Sequence, residues 1–415
     1  MFSLTSQNIF QQFYAVFARI AGVSATILGF IMSVRNLLTG LFQGTIGRLS
    51  DKIGRKYILI FGFFLSLIIP IPLIFYHEQW FLIFVAIVQA FSVSVVIPTW
   101  NAVLGDVTEP SFRATFIGKI TSIGRIVSVA ITLIVAGIFV LLEIKYNNIL
   151  TIGGDNFVIT WEIQYGIIFA ISAFNALLCI ICVFLFKETH IITEETKNNI
   201  PKLRVALKDK NFVKFLIVNS IFGITMSLIW PANPIILNDI LALDFPKVAV
   251  MISAFTVFTG LAQIIGGKLA DKMGRKPLII ISAIILVFFP VSMIPSIITG
   301  NWWILLFSRF VGGVGTGLNL VAINTYTLDL APRELFGGYS GLRETFYGIT
   351  TFIGSFIAGF IIDALEPIYG IITTCIAMSI GVTIIRGIAA IGFLFIKESL
   401  SENNKNNESS IPNQN

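Results

Sequence analysis

Apolar residues run in long blocks along almost the whole chain, broken by short polar stretches, and that period-free pattern points to helices that cross a membrane. A helix needs about 20 mostly apolar residues to traverse the hydrocarbon of a bilayer. Blocks of that order occupy residues 3–21, 26–46, 57–76, 80–105, 112–142, 161–186, 212–241, 246–270, 276–298, 301–330, 336–365 and 369–396. Closed β-barrels also satisfy their backbone inside lipid, but they need alternating strands of about ten residues. Residues 126–142 are continuously apolar instead. The pattern predicts an all-α membrane protein with twelve transmembrane helices.

The polar stretches divide the chain in two. Residues 187–211, rich in Lys, Glu, Thr and Asn, separate an N-terminal six-helix bundle (1–186) from a C-terminal one (212–397), with residues 398–415 expected to form a disordered tail. Residues 39–56 read TGLFQGTIGRLSDKIGRK and residues 259–276 read TGLAQIIGGKLADKMGRK, identical at eleven of eighteen positions at an offset of 220. Lys187-Glu188-Thr189 after span 6 has an echo in Lys397-Glu398-Ser399 after span 12. A membrane unit built twice is the architecture of carriers in which two related bundles rock about a midplane site. At that offset Met1 aligns with Ile221, whereas span 7 begins near Phe212, so span 1 is expected to be truncated by nine residues. Either its natural start codon lies upstream or the helix starts partway into the membrane.

Composition excludes other classes. With 56% hydrophobic and 12% charged residues, no soluble globular domain fits. The net charge of +6 is not a nucleic-acid footprint, because Lys and Arg fall in short loops on one side. Arg48, Lys52, Arg55, Lys56, Lys268, Lys272, Arg275, Lys276 and Lys397 lie there, while the other side holds little beyond Arg19, Lys145 and Lys247. That bias places the basic side and both termini in the cytoplasm, with the chain spanning the cell membrane. Cys179 and Cys182 have a CxxC spacing but sit in an apolar span and read as buried hydrophobes. Gly313, Gly315 and Gly317 read as helix packing, and His77 and His190 lack ligand companions. No Walker loop, nucleophile elbow or HExxH stretch occurs, so neither an enzyme, a metal nor a cofactor is expected. The expected partners are a small-molecule substrate and the lipid bilayer, with no nucleic acid, and the chain is expected to be a monomer.

The stretch from Gly47 to Lys56, with its counterpart from Gly267 to Lys276, resembles the signature loop of the major facilitator superfamily, and the resemblance extends over all twelve spans. It implies rocker-switch transport by two pseudo-symmetric bundles. It also implies a latch between the halves, carried by Gly47, Asp51, Gly54, Arg55 and Asp106 in the first copy and by Asp271 and Arg275 in the second. Gly54 permits a sharp turn, and Arg55 can fork onto Asp106 at the end of span 4. Other patterns of the family are missing. Ala86 stands where an Arg commonly precedes the span 4 Pro98, and span 5 has glycines but no proline, which weighs against a proton-driven drug antiporter.

Arginines inside the spans are the sharpest functional signal, since each costs at least about 2.5 kcal/mol to insert unless it meets a cavity or a partner. Arg35, Arg125, Arg309, Arg343 and Arg386 are of this kind. In the repeat, Arg35 aligns with Phe255, Arg309 with Ala86, Arg125 with Gly348 and Arg343 with Ile120, so the shared architecture does not require them. Arg35 and Arg125 are expected to form a positive substrate site, with Arg309 a further candidate; Arg386, in peripheral span 12, is set aside. Trp230-Pro231-Ala232-Asn233-Pro234 interrupts span 7 and frees backbone carbonyls, so Trp230 and Asn233 are expected at the site, facing Asn8, Gln11 and Gln12 of span 1. Glu344 is the candidate proton-coupling group. It follows Arg343 directly, and because neighbouring helical residues point apart no pair between them is expected.

These features describe a secondary active or facilitative transporter of a small organic solute, anionic or polar, working by alternating access. Two alternatives stand beside it: a transporter-like receptor that binds solute without moving it, and a proton-coupled multidrug exporter.

Overall fold

A computed structural model of the chain describes residues 2–107, 110–146, 149–152, 155–185, 206–331 and 336–399. The N-terminal half contains α1 (Phe2–Ile20), α2 (Ala25–Ile53), α3 (Arg55–Ile68), α4 (Gln79–Val107), α5 (Pro110–Tyr146) and α6 (Trp161–Leu185). The C-terminal half contains α7 (Lys210–Ser227), α8 (Phe245–Met273), α9 (Arg275–Val291), α10 (Trp302–Leu330), α11 (Phe336–Tyr369) and α12 (Ile371–Ile391). Eleven of these, α2 to α12, carry stretches long and apolar enough to cross a membrane. One feature lies outside the helical pattern: β1 (Ile149–Ile152) pairs antiparallel with β2 (Asp155–Val158) between α5 and α6, where Ile149, Ile152 and Val158 are strand formers.

The repeat in the sequence becomes a repeat in the backbone. α2 and α8 are each 29 residues long and start 220 positions apart. Their N-caps are Ser24, accepting from the Ile27 N–H, and Asp244, accepting from the Lys247 N–H. Both helices end at a glycine with positive φ, 103° at Gly54 and 94° at Gly274. At Gly274 space makes the same demand, because an added Cβ would stand 2.8 Å from Glu398 Oε2.

The halves meet along two unlike seams. On one, α2 and α11 run antiparallel with their backbones in contact. A Cβ on Gly29 would stand 2.2 Å from the Ser355 carbonyl oxygen, and one on Gly40 would stand 2.6 Å from that of Glu344. Gly348 and Gly359 of α11 are as tightly placed, 2.3 Å from Asn36 O and 2.2 Å from Ala25 O. Both glycine pairs are three turns apart, so each lies on one helix face, and missing side chains let the axes close. Thr345 Oγ1 donates to Gly40 O at 2.6 Å within this contact. The second seam joins α5 to α8 and leaves a cleft, described below.

The end opposite the signature loops is shut. Arg19 of α1 pairs with Asp239, which follows α7; its Nε donates at 2.6 Å, its Nη2 makes a second contact, and Glu366 Oε1 lies 3.9 Å away. Asp363 of α11 accepts from the N–H groups of Ala25 and Thr26 at 2.9 and 2.8 Å, so one half caps a helix of the other. Phe245 at the start of α8 packs on Phe13, Phe139 and Tyr165, with ring centroids 5.2 to 5.4 Å apart.

Several expectations about the ends of the chain change or fall outside the described residues. The tail was expected to be disordered from residue 398, yet Glu398 and Ser399 are bound. Glu398 accepts from the N–H groups of Arg275 and Lys276 at 2.9 and 3.0 Å, and Ser399 Oγ donates to Asp329 at 3.1 Å. The exposed N-terminus of α9 supplies the reason, since its free N–H groups attract a carboxylate. Of the linker only residues 206–211 are described, with Asp209 capping α7; residues 187–205 and 400–415 lie outside.

Two outcomes are expected from this packing. Gly348→Ala should destabilise the protein by about 1–3 kcal/mol, as overpacking does, whereas Gly137→Ala, with nothing within 4 Å, should not; thermal unfolding in detergent measures both. Reversing one charge at the shut end, as Arg19→Asp, should raise the labelling rate of a cysteine placed on the cavity wall from that side. The swap Arg19→Asp with Asp239→Arg should restore protection.

Candidate solute-binding site

The site begins with the break in α7. A continuous helix would bond the Trp230 N–H to the Met226 carbonyl; here it bonds Ser227 O at 3.0 Å, and Pro231 and Pro234 offer no N–H at all. A short helix, Ala232–Ile235, and a π turn, Ile236–Ile240, carry the chain onward. The freed carbonyls are taken by Arg386 of α12. Its Nη2 donates to Thr225 O at 2.9 Å and Met226 O at 3.2 Å, its Nη1 to Leu286 O at 2.7 Å, and it is wholly buried. Setting Arg386 aside as peripheral is therefore corrected: its long side chain reaches inward from α12 to the broken helix and the cavity wall.

The break opens into a cavity of about 280 Å³ between the halves. Trp230, Asn233 and Arg309 line it from the C-terminal half, with Gln11 and Gln12 opposite on α1. Arg309 is 4% exposed and its Nη2 donates to Asn233 Oδ1 at 2.7 Å; its Nε has no partner among the described residues. Gln12 Nε2 donates across the halves to Thr256 Oγ1 of α8 at 3.1 Å. The remaining wall is apolar, including Met226, Leu237, Phe255 and Phe289.

A second chamber of about 70 Å³ lies in the N-terminal half and shares Gln11, Ala15 and Met32 with the first. Arg35 points into it beside Tyr14 and Gln89. Among the described residues Arg35 has no hydrogen-bond or ion-pair partner, and Gln89 Oε1, also buried, has none. Among the described residues no Asp or Glu lines either chamber.

The structure thus brings together Gln11, Arg35, Trp230, Asn233 and Arg309, five of the residues expected at the site. It does not bring Arg125 to Arg35. Arg125 lines a separate cleft on the α5–α8 seam, because its position on α5 turns it toward α8 rather than the centre. Thr256, which receives Gln12, was missed; a threonine in an apolar helix gives no distinguishing signal in one sequence. The side chains of Asn8 and Asn101 lie outside the described residues.

Glu344 lines a third pocket of about 130 Å³ with Asn219, Asn319, Asn324, Arg343 and Tyr347. The expectation that it does not pair with Arg343 is corrected: Arg343 Nη2 contacts Glu344 Oε1, and Nη1 donates to Asn324 Oδ1 at 2.6 Å. Adjacent Cα–Cβ bonds do diverge, but arginine has enough rotatable bonds to curl back.

At the second signature loop, Arg275 Nη1 donates to Asp271 at 2.8 Å and Nε to Asp329 at 3.0 Å. Asp329 is the counterpart of Asp106, so the Arg–Asp pairing expected in the first copy is built in the second, with Arg275 bridging two carboxylates rather than forking onto one. In the first copy buried Arg55 contacts the Ala102 carbonyl through Nη1. The side chains of Asp51 and Asp106, and the burial of Gly47, lie outside the described residues. Of the CxxC pair, Cys179 is buried but Cys182 is exposed, which corrects the reading of both as buried.

Comparison with known proteins agrees with this fold. The chain is 28% identical over 151 residues to the quinolone resistance protein NorA of Staphylococcus aureus; the match takes in 35% of this chain and spans only 38% of that relative. It is 26% identical over 145 residues to a facilitated glucose transporter, solute carrier family 2 member 12, of Xenopus laevis, covering 34% of this chain and 24% of that protein. In fold it is similar to a point mutant of the nucleoside transporter NupG, with a TM-score of 0.72 at 10% identity, covering 96% of this chain and 98% of the other. The D-xylose-proton symporter gives 0.68 at 14% identity, with 96% and 97% covered. The family profile matches twice, over residues 1–223 and again over 215–413, as a duplicated unit should. With that profile spanning both bundles, the chain belongs to the Major Facilitator Superfamily.

Proposed function

We propose that the protein is a secondary carrier that moves a small amphipathic organic anion across the cell membrane by alternating access. One observation carries the anionic reading: among the described residues every charged side chain lining the two adjoining chambers, Arg35, Arg309 and Arg386, is a guanidinium. Arg386 is consumed by backbone carbonyls, whereas Arg35 and the Nε of Arg309 have no partner among the described residues. An anion at these groups gains charge-assisted bonds in a cavity whose remaining wall is largely apolar. The apolar wall around Trp230 and Phe255 accommodates a hydrophobic body.

Binding is coupled to closure by the same charges. Arg35 belongs to one half and Arg309 to the other, so without cargo the two bundles bring like charges toward each other. An anion bridging them removes that repulsion and favours the occluded state over the open one, which is how a ligand shifts a conformational equilibrium. Bundles 1–186 and 212–397 move as units joined by residues 187–211, with both termini and the signature loops on the cytoplasmic side, and a monomer suffices. Gly47, Asp51, Gly54, Arg55 and Asp106, with Asp271 and Arg275, serve as the latch on that side. Glu344 is the coupling group, poised between Arg343 and α2, where Gly40 touches its backbone.

A proton-coupled drug exporter is the second reading, favoured by the partial likeness to NorA and by the apolar wall. That no carboxylate lines the chambers among the described residues counts against cationic cargo. Uptake and counterflow in proteoliposomes separate the two: aromatic carboxylates should compete for flux and aromatic ammonium ions of the same size should not. Uptake of the cations alone would overturn the anionic reading. Arg309→Gln should raise the half-saturating anion concentration about tenfold or more, as loss of a contact worth about 1.5–3 kcal/mol requires, with Arg35→Gln acting in the same direction. Glu344→Gln should abolish stimulation by an imposed pH gradient while leaving counterflow of labelled solute intact; stimulation that persists removes Glu344 from coupling.

A further inference from the structure

The cleft on the α5–α8 seam is unused by the solute site. Arg125 occupies it, with Ile126 and Val129 of α5 on one side and Thr256, Leu261 and Gln263 of α8 on the other, around about 120 Å³. Among the described residues the Arg125 guanidinium has no hydrogen-bond or ion-pair partner. The rim is apolar and turned outward: Ile126 is 67% exposed, Leu261 53% and Ile264 57%. On a membrane-spanning helix such exposure means contact with lipid, where an unanswered arginine is costly.

Depth gives the charge a partner. Glu143 is the first acidic residue toward the far end of α5, eighteen residues from Arg125. At 1.5 Å per residue Arg125 lies about 27 Å from that level, across a hydrocarbon layer about 30 Å thick. On α8, counting from Lys247 to Gln263 gives about 24 Å by the same rise. Arg125 and Gln263 therefore sit just inside the hydrocarbon boundary on the side of the signature loops, with Thr256 deeper. Lys268 continues the exposed stripe of Leu261 and Ile264 one turn further, at the boundary itself, and makes no ion pair among the described residues.

We propose that this cleft binds an acidic phospholipid from the leaflet on the signature-loop side. Arg125 forks onto the phosphate, Gln263 donates a hydrogen bond, Lys268 adds charge at the headgroup, and acyl chains lie along Ile126, Leu261 and Ile264. A soluble phosphate has the same chemistry, but the outward apolar rim gives it nothing to cover. The lipid bridges one half to the other at the looser seam.

Native mass spectrometry of the full chain, purified in detergent and supplied with phosphatidylglycerol or phosphatidylcholine, tests the site. Wild type should retain one phosphatidylglycerol in preference to phosphatidylcholine, and millimolar inorganic phosphate should not displace it. Arg125→Gln should lower retention about tenfold, as loss of a charge-assisted bond does, and Lys268→Gln should lower it by less; Arg35→Gln, in the solute chamber, should leave it unchanged. Equal retention of the two lipids, displacement by phosphate, or undiminished retention in Arg125→Gln would each overturn the proposal. If Arg125→Gln does not fold, the headgroup preference of wild type and the Lys268→Gln result still decide.

Discussion

A guanidinium inside a bilayer has to be answered, and the way each intramembrane arginine is answered sorts the structure from the function. Arg386 is met by two backbone carbonyls of α7 at its break, those of Thr225 and Met226, and by that of Leu286 on α9, so it ties the break to α9. Arg343 is met by Asn324 and its own neighbour Glu344. Arg309 is half met, by Asn233 alone, and Arg35 and Arg125 have no partner among the described residues. The cost of charge in hydrocarbon is common to all five. What differs is the share of that cost the protein itself offsets, and the unpaid share is what a ligand can supply.

The internal repeat sharpens this sorting. Arg35 and Ala86 line the smaller chamber, and their counterparts Phe255 and Arg309 line the larger cavity beside it. Duplication therefore fixed which positions face the centre, and the two halves then diverged in what they place there. Each half contributes one cavity arginine with capacity to spare, but from inequivalent helices, α2 and α10. The proposed cargo site therefore lies between unlike surfaces, and in that proposal the asymmetry lets one ligand report on the approach of both bundles.

Much of this was legible in the sequence because it rests on local pattern. The offset of 220 foretold the matching turns at Gly54 and Gly274, since positive-φ turns are dictated by residues close in the chain; the matching caps at Ser24 and Asp244 lie outside the repeated stretch. Trp230-Pro231 announced the break, because proline removes a donor wherever it stands. The errors came from side-chain reach and helix rotation. Arg386 reaches inward from a peripheral helix, Arg343 curls onto its neighbour, and Arg125 is rotated to a seam rather than the centre. Span order and spacing do not encode rotation about a helix axis.

Rotation also explains why the two seams differ in kind. Arg19 and Asp239 are equivalent positions, 220 apart, and they touch. Residues related by a two-fold axis meet only beside it, and identical side chains there would repel; the opposite charges exist because the halves have diverged. With that pair marking the axis, α2–α11 and α5–α8 lie on either side of it. Along the first, glycines bring backbones together and leave no room for a side chain to readjust. Along the second, an open cleft separates Arg125 from Gln263, so relative movement there breaks few contacts. Rocking about a cleft of this sort needs one seam that keeps its register and one that yields, and the distribution of glycine and arginine assigns the first role to α2–α11 and the second to α5–α8.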